Sequence, residues 1–145
     1  NHYEYGFPPN TSKLIGIQEE RLLSKVEKNY DDIVLTEHFH CDDAEYIIFA
    51  FGSSARASKD AVLNLRKKGI KAGLLKPLTI WPFPDIDILK YAGKVKGFLV
   101  PELSLGQTVR EVSRAVNGKC RVEHIYRVDS EPVSPAQIKK AVEAM

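Results

Sequence analysis

The sequence predicts an α/β fold, a three-layer α/β/α sandwich on a mostly parallel five-stranded sheet. Three observations carry this reading. Residues 46–75 run strand, helix, strand with short joints: YIIFAF closed by Gly52, SSARASKDAVLNLRKK closed by Gly69, then IKAGLL. Such a crossover sets its strands parallel and its connection right-handed. Around it, five apolar runs alternate with about five stretches of helical periodicity, without internal repeats or low-complexity tracts. Finally, 145 residues with 43% hydrophobic and 28% charged side chains suffice for one domain with its own core.

Residues 1–12 hold turn and breaker residues without periodicity and read as an arm or linker, followed by a single domain over 13–145. A helix is expected from about Ser12, with Ile15, Leu22, Val26 and Tyr30 on one face and Gly16 weakening its first turns. Asp31-Asp32 ends it, and 33–39 (IVLTEHF) alternates as a half-buried strand does. After the strand at 46–51, Ser53 or Ser54 is expected to cap a helix by accepting a first-turn N–H. That helix buries Ala57, Ala61, Val62 and Leu65, and Gly69 stops it in a left-handed conformation. The Arg66-Lys67-Lys68 cluster suits the carbonyl end of the helix dipole.

Beyond the strand at 70–75, Trp81-Pro82-Phe83-Pro84 is a stiff connection that cannot continue a strand. Pro84 suits the first position of a short helix, with Asp85 and Asp87 at its positive end. Ile86 and Leu89 are expected to face the core from this helix, which ends near Gly93. Residues 95–101 form a third parallel strand. Gly106 or Gln107 opens the next helix, with Leu105, Val109, Val112 and Val116 on one face and Gly118 as its stop. Residues 120–128 read as a strand near an edge. Ser134-Pro135-Ala136-Gln137 is a capping box with proline at the first helical position.

The totals exclude several function classes. A net charge of +2, with no basic stripe among aromatics, argues against nucleic acid as partner. No apolar run approaches the ~20 residues of a membrane span. Two cysteines, Cys41 and Cys120, are too few for a disulfide framework or an iron–sulfur cage, and a cytoplasmic location is expected. The chain opens on Asn1, and we read it as a piece of a longer polypeptide.

Open parallel sheets bind ligands beyond the carboxyl ends of their strands, where the strand order reverses. Helix N-termini there favour anions. The candidate anion or ligand site therefore comprises Gly52, Ser53, Ser54, Arg56, Glu102, Gly106 and Gln107, with Glu102 accepting from a hydroxyl or amine. The plainer alternative is that the serines cap their helix and Glu102 pairs with a neighbouring domain. GSSAR has one glycine where a dinucleotide fingerprint needs three, and neither a phosphate loop nor a GxSxG elbow occurs. His38 and His40, on one face of a strand with Cys41 in the turn beyond, form a metal candidate, although such a run is more often a solvated turn. His124 alternates on a strand without a partner and reads as a surface or packing histidine. Trp81, Pro82, Phe83 and Pro84, with Leu103 and Leu105, are interface candidates, since prolines reduce the entropy lost on association.

Four segments together carry a family resemblance. They are H-x-E-x-G-x-P at 2–8, DAEYIIFAFGSSAR at 43–56, LRKKGIKAGLLKPLTIWPFP at 65–84 and VPELSLGQ at 100–107. The chain resembles, over nearly its whole length, the C-terminal part of the α subunit of 2-oxoacid:ferredoxin oxidoreductases of the pyruvate and 2-oxoglutarate type. It departs at Lys76, where the family often has arginine, and at Pro101, where a further strand residue is common. The resemblance implies a transketolase C-terminal-like domain with strand order 1-3-2-4-5 and the first strand antiparallel. The switch point then lies between the strands ending at Gly52 and Pro101. Enzymes of this family oxidatively decarboxylate 2-oxoacids to acyl-CoA, using thiamine diphosphate and passing electrons through iron–sulfur clusters to ferredoxin. Their thiamine site lies between an upstream pyrimidine-binding domain and a pyrophosphate-binding domain, whose GDG signature is absent here.

The resemblance therefore implies a chain inactive alone and binding no cofactor itself. It would be an accessory domain packed against the upstream domain, the β subunit and other subunits. Two further readings stay open: a regulatory domain binding a small ligand at Ser53, Ser54, Glu102 and Gln107, or the matching domain of another thiamine enzyme such as transketolase. The W-P-F-P and E-x-x-x-G-Q elements argue against the last.

Overall fold

The computed structural model describes residues 6–7 and 11–145, so most of the expected arm, and with it most of the 2–8 motif, lies outside the described residues. The chain divides into two compact units, Asn1–Ile33 and Val34–Met145. The first holds α1 (Ser12–Lys28) and the single turn α2 (Tyr30–Ile33). Ile15 and Leu22, expected on a buried face, are exposed, and α1 buries none of its residues. Its large apolar side chains, at 14, 15, 17, 22 and 23, are spread around the helix axis instead of forming one stripe. α2 also shortens the expected strand at 33–39, because the N–H groups of Asp32 and Ile33 both donate to the Asn29 carbonyl.

The second unit contains β1 (Thr36–Phe39), β2 (Tyr46–Phe49), α3 (Gly52–Lys67), β3 (Ala72–Pro77), α4 (Asp85–Ala92), β4 (Gly97–Glu102), α5 (Gln107–Val116), β5 (Arg121–Tyr126) and α6 (Pro135–Glu143). The sheet order is β1-β3-β2-β4-β5, with β1 antiparallel to β3 and every other pairing parallel. Order and sense are those the resemblance implied. Among the described residues, no helix is long and apolar enough to cross a membrane.

Alternation along the strands divides the core into two layers. Ile47, Phe49, Leu75, Phe98 and Val100 pack against α4 and α5 through Ile88, Tyr91, Val112 and Val116. Ile48, Leu74 and Leu99 pack on the other face against α3 and α6 through Ala61, Val62, Leu65, Ile138 and Val142. This is the three-layer sandwich.

The boundaries show which local signals governed. α3 ends in a Schellman motif, with Gly69 (φ +83°) donating to the Arg66 carbonyl and Ile70 to that of Leu65. Ile70 is thereby used by the helix stop, and β3 begins at Ala72 and runs to Pro77, where it still meets β1. α4 is turned from its expected face: Ile86 and Leu89 are exposed, while Ile88, Tyr91 and Ala92 are buried. Two polar contacts fix that rotation, Thr36 Oγ1 to Asp87 Oδ2 (2.9 Å) and His38 Nδ1 to the Tyr91 hydroxyl (2.8 Å). Pro84 is the cap of this helix, one position before the expected one. The Ser134–Gln137 capping box forms as expected, with proline in the first turn.

Gly73 is required by proximity. A Cβ on Gly73, in β3, would meet the His40 carbonyl oxygen at 2.7 Å and Cys41 Cα at 3.0 Å. Both are backbone atoms and cannot rotate aside. Gly73→Ala is expected to destabilise the unit by about 1–3 kcal/mol, read as a lower urea midpoint with unchanged slope.

Candidate functional site

β2 hands the chain to β3 on one side and β4 hands it to β5 on the other, so the switch point falls between the carboxyl ends of β2 and β4. A cleft of about 220 Å³ opens there, with Gly52, Ser53 and Ser54 on one wall and Glu102, Ser104 and Thr108 on the other. The expected helix caps are not made. α3 starts two or three residues earlier, with Phe51 extended at its N-cap and Gly52 at φ +59°, and no side chain caps it. Ser53 is exposed, whereas Ser54 is buried and its carbonyl accepts the Ser58 hydroxyl at 2.7 Å.

Glu102 is the centre of this cleft. It is 4% exposed at the end of β4. Its carboxylate accepts the Ser104 hydroxyl at 2.5 Å, the Thr108 N–H at 2.9 Å and the Val109 N–H at 3.4 Å. Gly106, at φ +87°, is the N-cap of α5, and its left-handed backbone turns the chain so that the helix starts against the carboxylate. The E-x-x-x-G-Q element is thus a capping device: a buried carboxylate from the preceding strand occupies the positive end of the helix. The anion that the α5 N-terminus could hold is supplied by the chain itself.

The other expected members of this site lie elsewhere. Arg56 lines a separate groove of about 490 Å³ with Lys59 and Lys76. Gln107 lines a third, of about 420 Å³, with Phe51, Ile80, Trp81, Phe83 and Glu111. Ser104, Thr108, Lys59 and Lys76 were missed by the sequence reading. The first two follow Glu102 at capping distance, a usable signal, but Lys59 on α3 and Lys76 on β3 come together only through the packing of α3 on the sheet.

The W-P-F-P loop splits its duties by residue. The Phe83 ring lies 5.6 Å from that of Phe49, with the Arg114 guanidinium 5.9 Å above it, and Pro84 is buried. Trp81 is 68% exposed beside exposed Ile80, following a strand end where Leu78 is also exposed. Leu103 and Leu105 are exposed too, so Leu105 does not join the buried face of α5 as expected. The Trp81–Pro82 peptide is cis.

The expected metal residues are engaged otherwise. His38 Nδ1 bonds the Tyr91 hydroxyl, and Nε2 bonds Thr36 Oγ1 at 2.8 Å with Asp87 Oδ1 at 3.4 Å. The His40 ring stacks edge-on against Phe39. Cys41 is buried, its thiol donates to the Leu74 carbonyl, and burial pushes its pKa up to about 11. A thiol held protonated at neutral pH is a poor metal ligand. The His124 ring stacks on Tyr126 at 5.3 Å. Arg66 does more than complement a dipole. It donates to the Ala72 and His40 carbonyls and to both oxygens of Asp43, whose carboxyl it holds below the usual range.

These donors do not fit an iron–sulfur cluster, one of the groups the resemblance assigns to the whole enzyme. Among the described residues no three His, Cys, Asp or Glu side chains are placed to hold a metal ion. An iron–sulfur cluster takes four thiolates, and the chain has two cysteines.

With this geometry in place, the comparisons with known proteins agree. Residues 44–138 match the family described as pyruvate:ferredoxin oxidoreductase core domain II. The 2-oxoglutarate synthase subunit KorA of Methanocaldococcus jannaschii is 36% identical over 141 residues, covering 97% of this chain and 38% of that subunit. A solved 2-oxoglutarate:ferredoxin oxidoreductase from Magnetococcus marinus, with 2-oxoglutarate, coenzyme A and succinyl-CoA bound, superposes over 99% of this chain and 25% of its own, at a TM-score of 0.79 and 20% identity. A split-gene transketolase, an inactive beta4 tetramer, covers 76% of this chain and 40% of its own at a TM-score of 0.64 and 14% identity. These two likenesses carry the fold, and the chain spans less than two fifths of the KorA subunit it matches. By its sequence over residues 44–138 and its identity to KorA, the chain belongs to the pyruvate:ferredoxin oxidoreductase core domain II family, a domain of 2-oxoacid:ferredoxin oxidoreductases.

Proposed function

We propose that this chain is a non-catalytic accessory and assembly domain of a thiamine-diphosphate-dependent 2-oxoacid:ferredoxin oxidoreductase in the cytoplasm. In that enzyme a 2-oxoacid is oxidatively decarboxylated to acyl-CoA and ferredoxin is reduced. Thiamine diphosphate, the iron–sulfur clusters and coenzyme A belong to parts of the enzyme outside this chain. Its partners are the upstream pyrimidine-binding domain, the β subunit and the other subunits of the complex.

The observation that supports this reading is the loop at Trp81–Pro82–Phe83–Pro84. Phe83 fixes it to the core while Trp81 stands in solvent with exposed Leu78 and Ile80 around it. A large, rigidly held aromatic is what interface anchors look like, and burying such a ring removes 150–250 Å² from water in roughly typical cases. The switch-point cleft supports the same reading, since Glu102 already satisfies one of its two helix ends.

The test reconstitutes this chain with its remaining subunits and measures association by analytical ultracentrifugation. Trp81→Ser is expected to weaken association by about tenfold or more. Being exposed, it should shift the chain's own stability by no more than about 0.5 kcal/mol. Association equal to that of the unaltered chain would remove this face from the assembly and the reading with it.

A further inference from the structure

The groove between α3 and the β1–β3 edge has a chemistry that the assembly reading does not use. Antiparallel register sets Glu37 opposite Lys76 and Phe39 opposite Leu74. Phe39 and Leu74 both pack into the α3 layer, so the alternation of strand side chains puts all four on that face. They form the floor. α3 forms the wall: Gly52 is its first residue, Arg56 follows about one turn on, and Lys59 lies three residues further on the same side. The enclosed space is about 490 Å³.

Its cations are unequally committed. The Lys76 ammonium donates to Glu37 at 3.0 Å, and the Lys59 ammonium lies 4.9 Å from the centre of the Phe39 ring. The Arg56 side chain has no hydrogen bond or ion pair among the described residues. By contrast, Arg66, Arg114, Arg121 and Arg127 each hold a carboxylate. Three cations against one carboxylate leave the groove with a formal excess of two positive charges. The α3 N-terminus adds to that field, because no side chain caps it.

We propose that this groove binds a multivalent oxyanion of the phosphate class. The Arg56 guanidinium takes two oxygens as a fork, and Lys59 and Lys76 act as point charges from two different elements. The half-buried setting of Lys76, whose side chain is 33% exposed, limits how far water screens it. The site is separate from the exposed Trp81 loop, so it stands or falls independently of the assembly role.

The experiment titrates the isotope-labelled chain with sodium pyrophosphate at low ionic strength and follows its amide resonances. Saturable shifts centred on Gly52, Arg56, Lys59 and Lys76 are expected, with a Kd of about 1 mM or tighter that rises with added salt. R56Q should weaken binding roughly tenfold or more. Among the described residues the Arg56 side chain has no hydrogen-bond or ion-pair partner, so this variant removes charge without removing such a contact. R110Q, on exposed Arg110 of α5, should leave binding unchanged. Shifts that never saturate, an R56Q chain that binds as well as the parent, or binding of citrate without pyrophosphate would each overturn the proposal.

Discussion

Glu102→Ala should lower the unfolding free energy by about 2–4 kcal/mol, the combined effect of losing a helix cap and leaving buried donors without an acceptor. The carboxylate is the acceptor for the Ser104 hydroxyl and for two first-turn N–H groups of α5. At 4% exposure it leaves little room for water to take over. The melting temperature should fall by roughly 6–12 °C for a chain of this size. Glu102→Gln tests the charge separately from the shape. Its amide oxygen keeps an acceptor, but its NH2 group is a donor facing other donors, so about half of the loss should remain. Urea unfolding of the three chains gives the comparison. An alanine variant as stable as the parent would show that the α5 amides are satisfied without Glu102.

The second large effect is in the core. Phe49→Ala should destabilise by about 3–5 kcal/mol, because Phe49 is fully buried in the layer under α4 and α5 and leaves a ring-sized cavity. It should also loosen the W-P-F-P loop, since Phe83 packs on that ring. Phe83→Leu alone removes the same pairing from the other side. The double-mutant cycle should return a coupling of about 0.5–1.5 kcal/mol beyond the area lost. Trp81 is the chain's one tryptophan, so its fluorescence anisotropy reports the loop directly and should drop in both single variants. An unchanged anisotropy would mean that the prolines alone hold the loop.

Periodicity made the layers legible, and punctuation made the helix ends legible. Gly69 and the Ser134 box are local signals that no tertiary contact opposes. The face of α4 was not legible, because two overlapping i, i+3 sets, Ile86 with Leu89 and Ile88 with Tyr91, occupy the same eight residues. Polar contacts from Thr36 and His38, about fifty positions upstream, decide between them. Strand order and the antiparallel β1 came from family resemblance, since pairing is a long-range property that alternation does not encode. The site residues were found as a set but not as a place. Gly52, Ser53, Ser54 and Glu102 share one cleft, whereas Arg56 lines another groove with Lys59, because residues two apart on a helix, as Ser54 and Arg56 are, point to different sides. Glu102 as a helix cap was within reach of the sequence, given the glycine four residues on.

The W-P-F-P loop has a thermodynamic corollary. Two prolines restrict the backbone that joins outward Trp81 to inward Phe83, so a partner able to grip Trp81 recognises the folded unit and ignores the unfolded chain. By mass action such a partner adds RT ln(1 + [L]/Kd) to stability, about 2.7 kcal/mol at a hundredfold excess over Kd. That is comparable with what the Glu102 cap contributes from within. The unit's melting temperature is then a function of partner concentration, and orphaned copies would be the first to unfold when subunits are made out of proportion.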